Sequence, residues 1–276
     1  RSVIAFTILV CLFVQGIPID HGPGPEIESR IIGGVPAPEA FAPHMAGLVF
    51  GTHLRTIMCG GSIISEQVVL TAAHCIDTLI QPDGSLLHSF RITIGSNQWN
   101  SGGIAHKVTS YRNHPKWDPE TIKNDAGVLF LEQKLQFNHK VRPIRLSFDW
   151  TDQREDCYVT GWGGMNLQPT PNDLQLLYLP TIPWHQCQKA IAASSTVYQT
   201  MPPVEKDLEI CTFHSVGHGM CTGDSGSALV RSSTGEQIGI VSWGRPCALG
   251  VPDVYTRTYA LKPFINDVMN IYGAIK

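Results

Sequence analysis

From residue 31 onward, short apolar runs alternate with turn residues. They read "HMAGLVF" (44–50), "QVVLTAA" (67–73), "FRITIG" (90–95), "AGVLFL" (126–131), "CYVTGWG" (157–163), "ALVR" (228–231), "QIGIVSWG" (237–244) and "DVYTRT" (253–258). Runs of this length, rich in Val and Ile and bounded by turn residues, predict β-strands. Their spacing predicts sheets closed into barrels or packed as a sandwich. The only good helical pattern is terminal. Leu261, Phe264, Ile265, Val268, Met269 and Tyr272 recur at steps of three and four, with Pro263 in an early position that a helix tolerates. The 26 Gly and 19 Pro fit a turn-rich all-β protein.

The first residues carry a different pattern. A basic residue precedes an apolar run from Val3 to Val14. That run falls short of the roughly 20 residues needed to span a bilayer. It predicts a secretory signal over residues 1–16, removed near Gly16. "IPIDHGPGPEIESR" (17–30) lacks periodicity and reads as a pro-segment. A net charge of −3 gives no electrostatic case for nucleic acid as a partner. Export makes disulfides expected. Of the eight cysteines, Cys11 lies in the signal, so seven remain and one thiol is left over.

Three phrases carry chemistry. "LTAAHC" places His74 at the close of a strand, "NDAGVLFL" places Asp125 at the start of another, and "GDSGS" supplies Ser225. An imidazole can accept the serine proton because it titrates near working pH. A carboxylate on its other nitrogen fixes the tautomer and stabilises the imidazolium. The glycines around Ser225 allow the N–H groups of Gly223 and Ser225 to point at one developing oxyanion. His, Asp and Ser in this order, each in its own phrase, are far more specific than any of them alone.

The phrases "RIIGG", "LTAAHC", "GWG", "GDSG", "VSWG" and "PDVYTR" occur in the order found in chymotrypsin-family (trypsin-like) secreted serine proteases, which the chain resembles from Ile31 to its terminal helix. The closing phrases "WGRPCALG" and "PDVYTR" are most similar to insect gut chymotrypsins. The resemblance implies two six-stranded antiparallel β-barrels, roughly 31–140 and 141–262, followed by a C-terminal α-helix, with the active site between them. It implies a catalytic triad of His74, Asp125 and Ser225 and an oxyanion hole at Gly223 and Ser225. It also implies activation by a trypsin-like protease cutting after Arg30, so that the new Ile31 amine pairs with Asp224. Ser242 would bond the triad aspartate, and the backbone of Ser242 and Gly244 would pair with an extended substrate. Implied disulfides are Cys59–Cys75, Cys187–Cys211 and Cys221–Cys247, with Cys157 a buried free thiol because its usual partner region, "ALVRSSTGEQ", has no cysteine.

The resemblance places the specificity pocket between Gly219 at its base and Ser242, Trp243, Gly244 and Asp253 on its walls. Trypsins carry an aspartate at the base. Gly219 here, with a shifted Asp253, implies cleavage after Phe, Tyr and Leu with secondary cleavage after Arg or Lys. Two departures bear on rate: Ser227-Ala228 replaces the usual Gly-Pro, and Ala126-Gly127 replaces two larger apolar residues. Gly127 in a strand is expected to cost about 1 kcal/mol, and Ser227 is expected to crowd the turn holding Ser225. His214 and His218 lie in the glycine-containing loop "FHSVGHG", so no metal is expected there. The segment "GSNQWNSGGIAHKV" has no carboxylate for calcium, and no cofactor is expected. Expected partners are protein or peptide substrates, the activating protease and protein protease inhibitors, with no membrane contact once the signal is removed. The expected form is a secreted monomer, digestive and in a gut lumen. A trypsin-like or cascade protease is one alternative, and a catalytically silent binding homologue is another. Cascade enzymes often carry a further N-terminal domain, and silent homologues usually lose a triad residue.

Overall fold

A computed structural model describes residues 31–51, 55–164, 172–195, 200–245 and 247–274. The expected signal (1–16), the pro-segment (17–30) and Arg30 lie outside the described residues. The first half contains β1 (Val35–Pro36), β2 (Met45–Phe50), β3 (Thr56–Ile63), β4 (Val68–Thr71), β5 (Arg91–Ile94), β6 (Ile104–His106), β7 (Val108–Asn113) and β8 (Gly127–Leu131), with a single helical turn α1 (Ala73–Asp77) after β4. The second half contains β9 (Asp156–Gly161), β10 (Gln175–Ile182), β11 (Glu209–Thr212), β12 (Ala228–Arg231), β13 (Glu236–Trp243) and β14 (Asp253–Arg257). Helix α2 (Trp184–Ser194) follows β10, and α3 (Lys262–Ala274) closes the chain. The eight apolar runs coincide with β2, β4, β5, β8, β9, β12, β13 and β14.

The fold is chymotrypsin-like and all-β. In the second half, β9 pairs with both β10 and β12, which closes the order β9-β10-β11-β14-β13-β12 into a six-stranded barrel. The first half differs from a closed barrel. Its order β6-β5-β2-β3-β4-β8-β7 is a curled sheet. Its edge strands β6 and β7 are separated in sequence by Lys107 alone, so one strand leaves β5 and bends round to join β8. A register irregularity at Val108/Ser110, next to Lys107, accompanies the bend.

The halves exchange their ends. β1 adds to β10 of the second barrel. Helix α3 returns to the first sheet, where Leu261, Phe264, Ile265, Val268 and Tyr272 share a core with Leu48, Leu70 and Leu129. The terminal helix therefore follows the apolar stripe in the sequence. Helix α2 does not. It buries only Cys187 and Ile191, too few apolar positions to stand out, and the Cys187–Cys211 disulfide ties it to β11. The strand β3 hides for a similar reason, because Gly60 and Gly61 interrupt its apolar pattern.

Disulfides also join Cys59 to Cys75 and Cys221 to Cys247. Cys157 on β9 is free and buried, and burial pushes its thiol up to about 12. A thiol held protonated and shielded is a poor nucleophile. Native protein should therefore stay unlabelled by a maleimide at neutral pH, and unfolding in urea without reductant should expose one reactive thiol in residues 31–276. Fast labelling of native Cys157 would contradict this placement.

Candidate active site

The ladder between β4 and β8 brings the first two candidate residues together. Thr71 pairs with Gly127, so the turn after Thr71 and the residue two before Gly127 lie side by side. The His74 N–H donates to Asp125 Oδ1 at 2.9 Å, and His74 Nδ1 lies 2.7 Å from Oδ2. The second half completes the site. Ser242 Oγ donates to Asp125 Oδ2 at 2.6 Å, and Thr256 Oγ1 donates to the Asp125 carbonyl at 2.8 Å. Asp125 is fully buried, so these donors replace its lost hydration. Burial by itself would lower the His74 pKa. The hydrogen bond and charge of Asp125, helped by the charge of Asp77, outweigh it and raise the pKa above the usual histidine value.

Ser225 sits in a turn bounded by glycines with positive φ, Gly223 at 98° and Gly226 at 83°. A side chain at Gly226 would strike Thr71 Oγ1 and the Gly60 carbonyl, so the turn can lie against β3 only with glycine there. Backbone bonds fix it from both halves. Gly60 N–H donates to the Ser225 carbonyl at 2.8 Å, and Gly226 N–H donates to the Val241 carbonyl at 2.8 Å. The N–H groups of Gly223 and Ser225 donate to no described residue. Ser225 and His74 line one cavity of about 360 Å³, together with Met220, Gly244, Arg245 and Asp253. No hydrogen bond joins Ser225 Oγ to His74 Nε2 in this structure, and Nε2 lies 3.6 Å from Cys75 Sγ.

Asp253 reaches the base of that cavity. Its Oδ2 accepts the Met220 N–H at 3.0 Å, and a side chain at Gly219 would meet that oxygen at 2.8 Å. The missing side chain at Gly219 thus leaves the room that the Asp253 carboxylate fills. Burial, with the nearby charge of Asp224, pushes Asp253 up to about 7. Asp224 is fully buried and accepts N–H bonds from Gly163 and Cys221, at 2.8 and 3.0 Å. No cation pairs with it among the described residues, and burial pushes it up to about 7. Beside it, Ile31 is fully buried, and its N–H donates to the Gly163 carbonyl at 3.1 Å. Ile32 and Gly219 exchange backbone bonds of 3.0 and 3.1 Å, so this segment is laddered to the residue against which the Asp253 carboxylate lies; Gly219 itself does not line the cavity.

Both departures have local partners. A side chain at Gly127 would meet Ile76 Cδ1 at 2.6 Å, because Ile76 of α1 occupies that space. Ser227 is buried opposite Gly60, where an added side chain would come within 2.1 Å of its Oγ. The absent Gly60 side chain admits Ser227, whose hydroxyl has no partner among the described residues. The one grouping of potential metal ligands among the described residues is Cys59, Cys75 and His74. Both its sulfurs are spent in a disulfide. His214 and His218 stack at 4.3 Å, and Ser215 Oγ lies 2.8 and 2.9 Å from their Nδ1 atoms.

Two residues emerge that the sequence did not flag. Lys123, two before Asp125, bonds both carboxylate oxygens of Glu209 at 2.9 Å. Glu209 Oε1 also accepts the Trp243 indole N–H at 2.7 Å, and the Lys123 ammonium lies 5.0 Å from the Trp243 ring centroid. The pair is buried and links the Asp125 loop to the cavity wall. Its members are 86 residues apart, so no local signal announces it.

A family model described as "Trypsin" matches residues 31–265. The chain is 33% identical over 269 residues to "Trypsin delta" of Drosophila erecta, covering 96% of this chain and 98% of that protein. It is 32% identical to "Trypsin alpha" of Drosophila melanogaster over 274 residues, 98% of each chain. It is 33% identical over 237 residues to "Chymotrypsin-2" of the wasp Vespa crabro, 85% of this chain and 98% of the wasp protein.

Removing one partner of a buried ion pair leaves an uncompensated charge. Glu209→Ala should therefore cost about 3–5 kcal/mol, read as a lower urea midpoint. The double variant Lys123→Met/Glu209→Gln keeps an acceptor for the indole and should recover most of that loss. Equal losses in the two variants would show that the charge pair is not the source.

Proposed function

This chain belongs to the trypsin family of serine endopeptidases, and we propose that it is secreted as an inactive precursor, cut after Arg30, and that it hydrolyses peptide bonds through an acyl-enzyme on Ser225. The observation that carries this reading is the buried Asp125 holding the His74 ring at 2.7 Å beside the cavity that Ser225 lines. Neutral His74 Nε2 takes the Ser225 proton as Oγ attacks the scissile carbonyl. The free N–H groups of Gly223 and Ser225 receive the oxyanion. His74 then returns the proton to the leaving amine as the C–N bond breaks, and water repeats the sequence to free the acid and restore Ser225. Asp125 stabilises the imidazolium in both steps. No helix among the described residues is long and apolar enough to cross a membrane. The signal-like run and three disulfides support secretion. The resemblance of the closing phrases "WGRPCALG" and "PDVYTR" to insect gut chymotrypsins supports a digestive setting.

Activation follows from Asp224. A buried carboxylate without a cation is held up near 7. In the uncut chain the Ile31 nitrogen is an amide and carries no charge. Cutting after Arg30 turns it into an ammonium on a residue already buried beside Asp224. That charge favours the ionised carboxylate and stabilises the turn holding Gly223 and Ser225. Trypsin treatment should yield a chain beginning at Ile31 that reacts stoichiometrically with an organophosphate on Ser225. Arg30→Gln should block both the cut and the labelling. In the active form, kcat/KM should fall on the acid side with a midpoint above the histidine reference of about 6.5, because activity needs neutral His74 and Asp125 raises its pKa. Full activity in uncut Arg30→Gln protein would overturn the activation scheme. An activated chain that never labels would favour a silent binding homologue.

The pocket reading rests on Asp253. While neutral, its carboxyl tolerates an aromatic or Leu side chain; once ionised, it attracts Arg or Lys. We expect preference for Phe, Tyr and Leu with secondary cleavage after Arg or Lys. The Arg-to-Phe ratio of kcat/KM should rise as pH passes upward through about 7, where Asp253 ionises. Asp253→Gly should remove that rise while Phe cleavage persists. A wild type that prefers Arg throughout would replace the chymotrypsin-like assignment with a trypsin-like one.

A further inference from the structure

Arg245 follows Gly244 on the rim of the cavity and lines it. It is partly buried, and its side chain is held in place by a bond from Nη2 to the Ser194 carbonyl at the end of α2. Its Nε is buried without a partner among the described residues. No described carboxylate pairs with it. The acids near this wall are engaged elsewhere: Glu209 is taken by Lys123 and Trp243, and Asp253 by the cavity base. The described part of the groove therefore presents a fixed, unmatched guanidinium. The internal stretches outside the described residues, 52–54, 165–171, 196–199 and 246, contain no Asp or Glu that could neutralise it.

We infer that Arg245 selects substrates with an acidic side chain at the third or fourth residue on the N-terminal side of the scissile bond. The inference rests on reading the cavity as a peptide groove. An extended substrate paired antiparallel along Ser242, Trp243 and Gly244 advances one residue for each enzyme residue. With the residue before the scissile bond opposite Ser242, the third lies opposite Gly244 and the fourth opposite Arg245. A guanidinium there offers a Glu or Asp carboxylate a charge-assisted hydrogen bond. Because the side chain is already anchored at Ser194, it loses little further freedom on binding.

The test is a set of peptides sharing one cleavable bond, with Glu, Gln or Lys placed in turn at the second to fifth residue before it, assayed with trypsin-activated enzyme. We expect Glu at the third or fourth position to raise kcat/KM about 3- to 10-fold over Gln, with Lys below Gln. The Glu/Gln ratio should shrink as ionic strength rises toward about 1 M. It should approach one in Arg245→Gln, and Arg245→Glu should shift the preference to Lys. A wild type indifferent to charge at every position overturns the inference while leaving the endopeptidase reading intact, as does a Glu preference that survives in Arg245→Gln. Failure to cleave any peptide overturns both.

Discussion

Asp125 imposes the constraint from which the rest of the site follows. A carboxylate with no exposure must have its hydration replaced by protein donors. No single barrel supplies them all. The His74 backbone and ring come from the first sheet, and the Ser242 hydroxyl comes from the second. The site therefore forms only when the two halves dock, and docking is enforced from both ends of the chain. β1 is given to the second barrel and α3 to the first. The buried Lys123–Glu209 pair adds a third tie, close to Asp125 in sequence and against Trp243 in space.

A second buried carboxylate, Asp224, lies one residue before Ser225 in the other half of the site. It braces the turn around Ser225 through Gly163 and Cys221, yet has no countercharge among the described residues. The Ile31–Ile32 segment shares Gly163 with it as a hydrogen-bond partner and is laddered to Gly219, against which the Asp253 carboxylate lies. One short segment thus lies near both the turn around Ser225 and the residue under the Asp253 carboxylate. A charge appearing at Ile31 bears on both at once. The charge of Asp224 also opposes ionisation of Asp253.

The unusual small residues come in complementary pairs. Ser227 fits because Gly60 has no side chain, and Gly127 lacks one because Ile76 of the His74 helix fills the space. The expected cost of Gly127 as a strand glycine is thus set against a contact that packs behind His74. Ser227 keeps a real cost, a buried hydroxyl without a partner among the described residues, of the order of 1–3 kcal/mol. The same exchange of volume occurs at Gly219, where the missing side chain admits the Asp253 carboxylate.

The sequence by itself determined the features that depend on near neighbours. The eight apolar runs become strands because alternation and β-branched content act over a few residues. The stripe from Leu261 to Tyr272 becomes a helix because its period needs no distant partner. The triad phrases were legible as family phrases in family order, and the odd cysteine was legible from arithmetic. Strand β3 and helix α2 were not, since interrupting glycines and a two-residue apolar face leave no periodic trace. Only the tertiary structure decided that Asp253 turns into the cavity, that Lys123 meets Glu209, that Ser227 faces Gly60, and that the first sheet curls through a bend at Lys107 while the second closes. Each of these joins residues brought together by strand pairing and barrel docking. Their energies come from burial and charge compensation between distant segments, which no local pattern encodes.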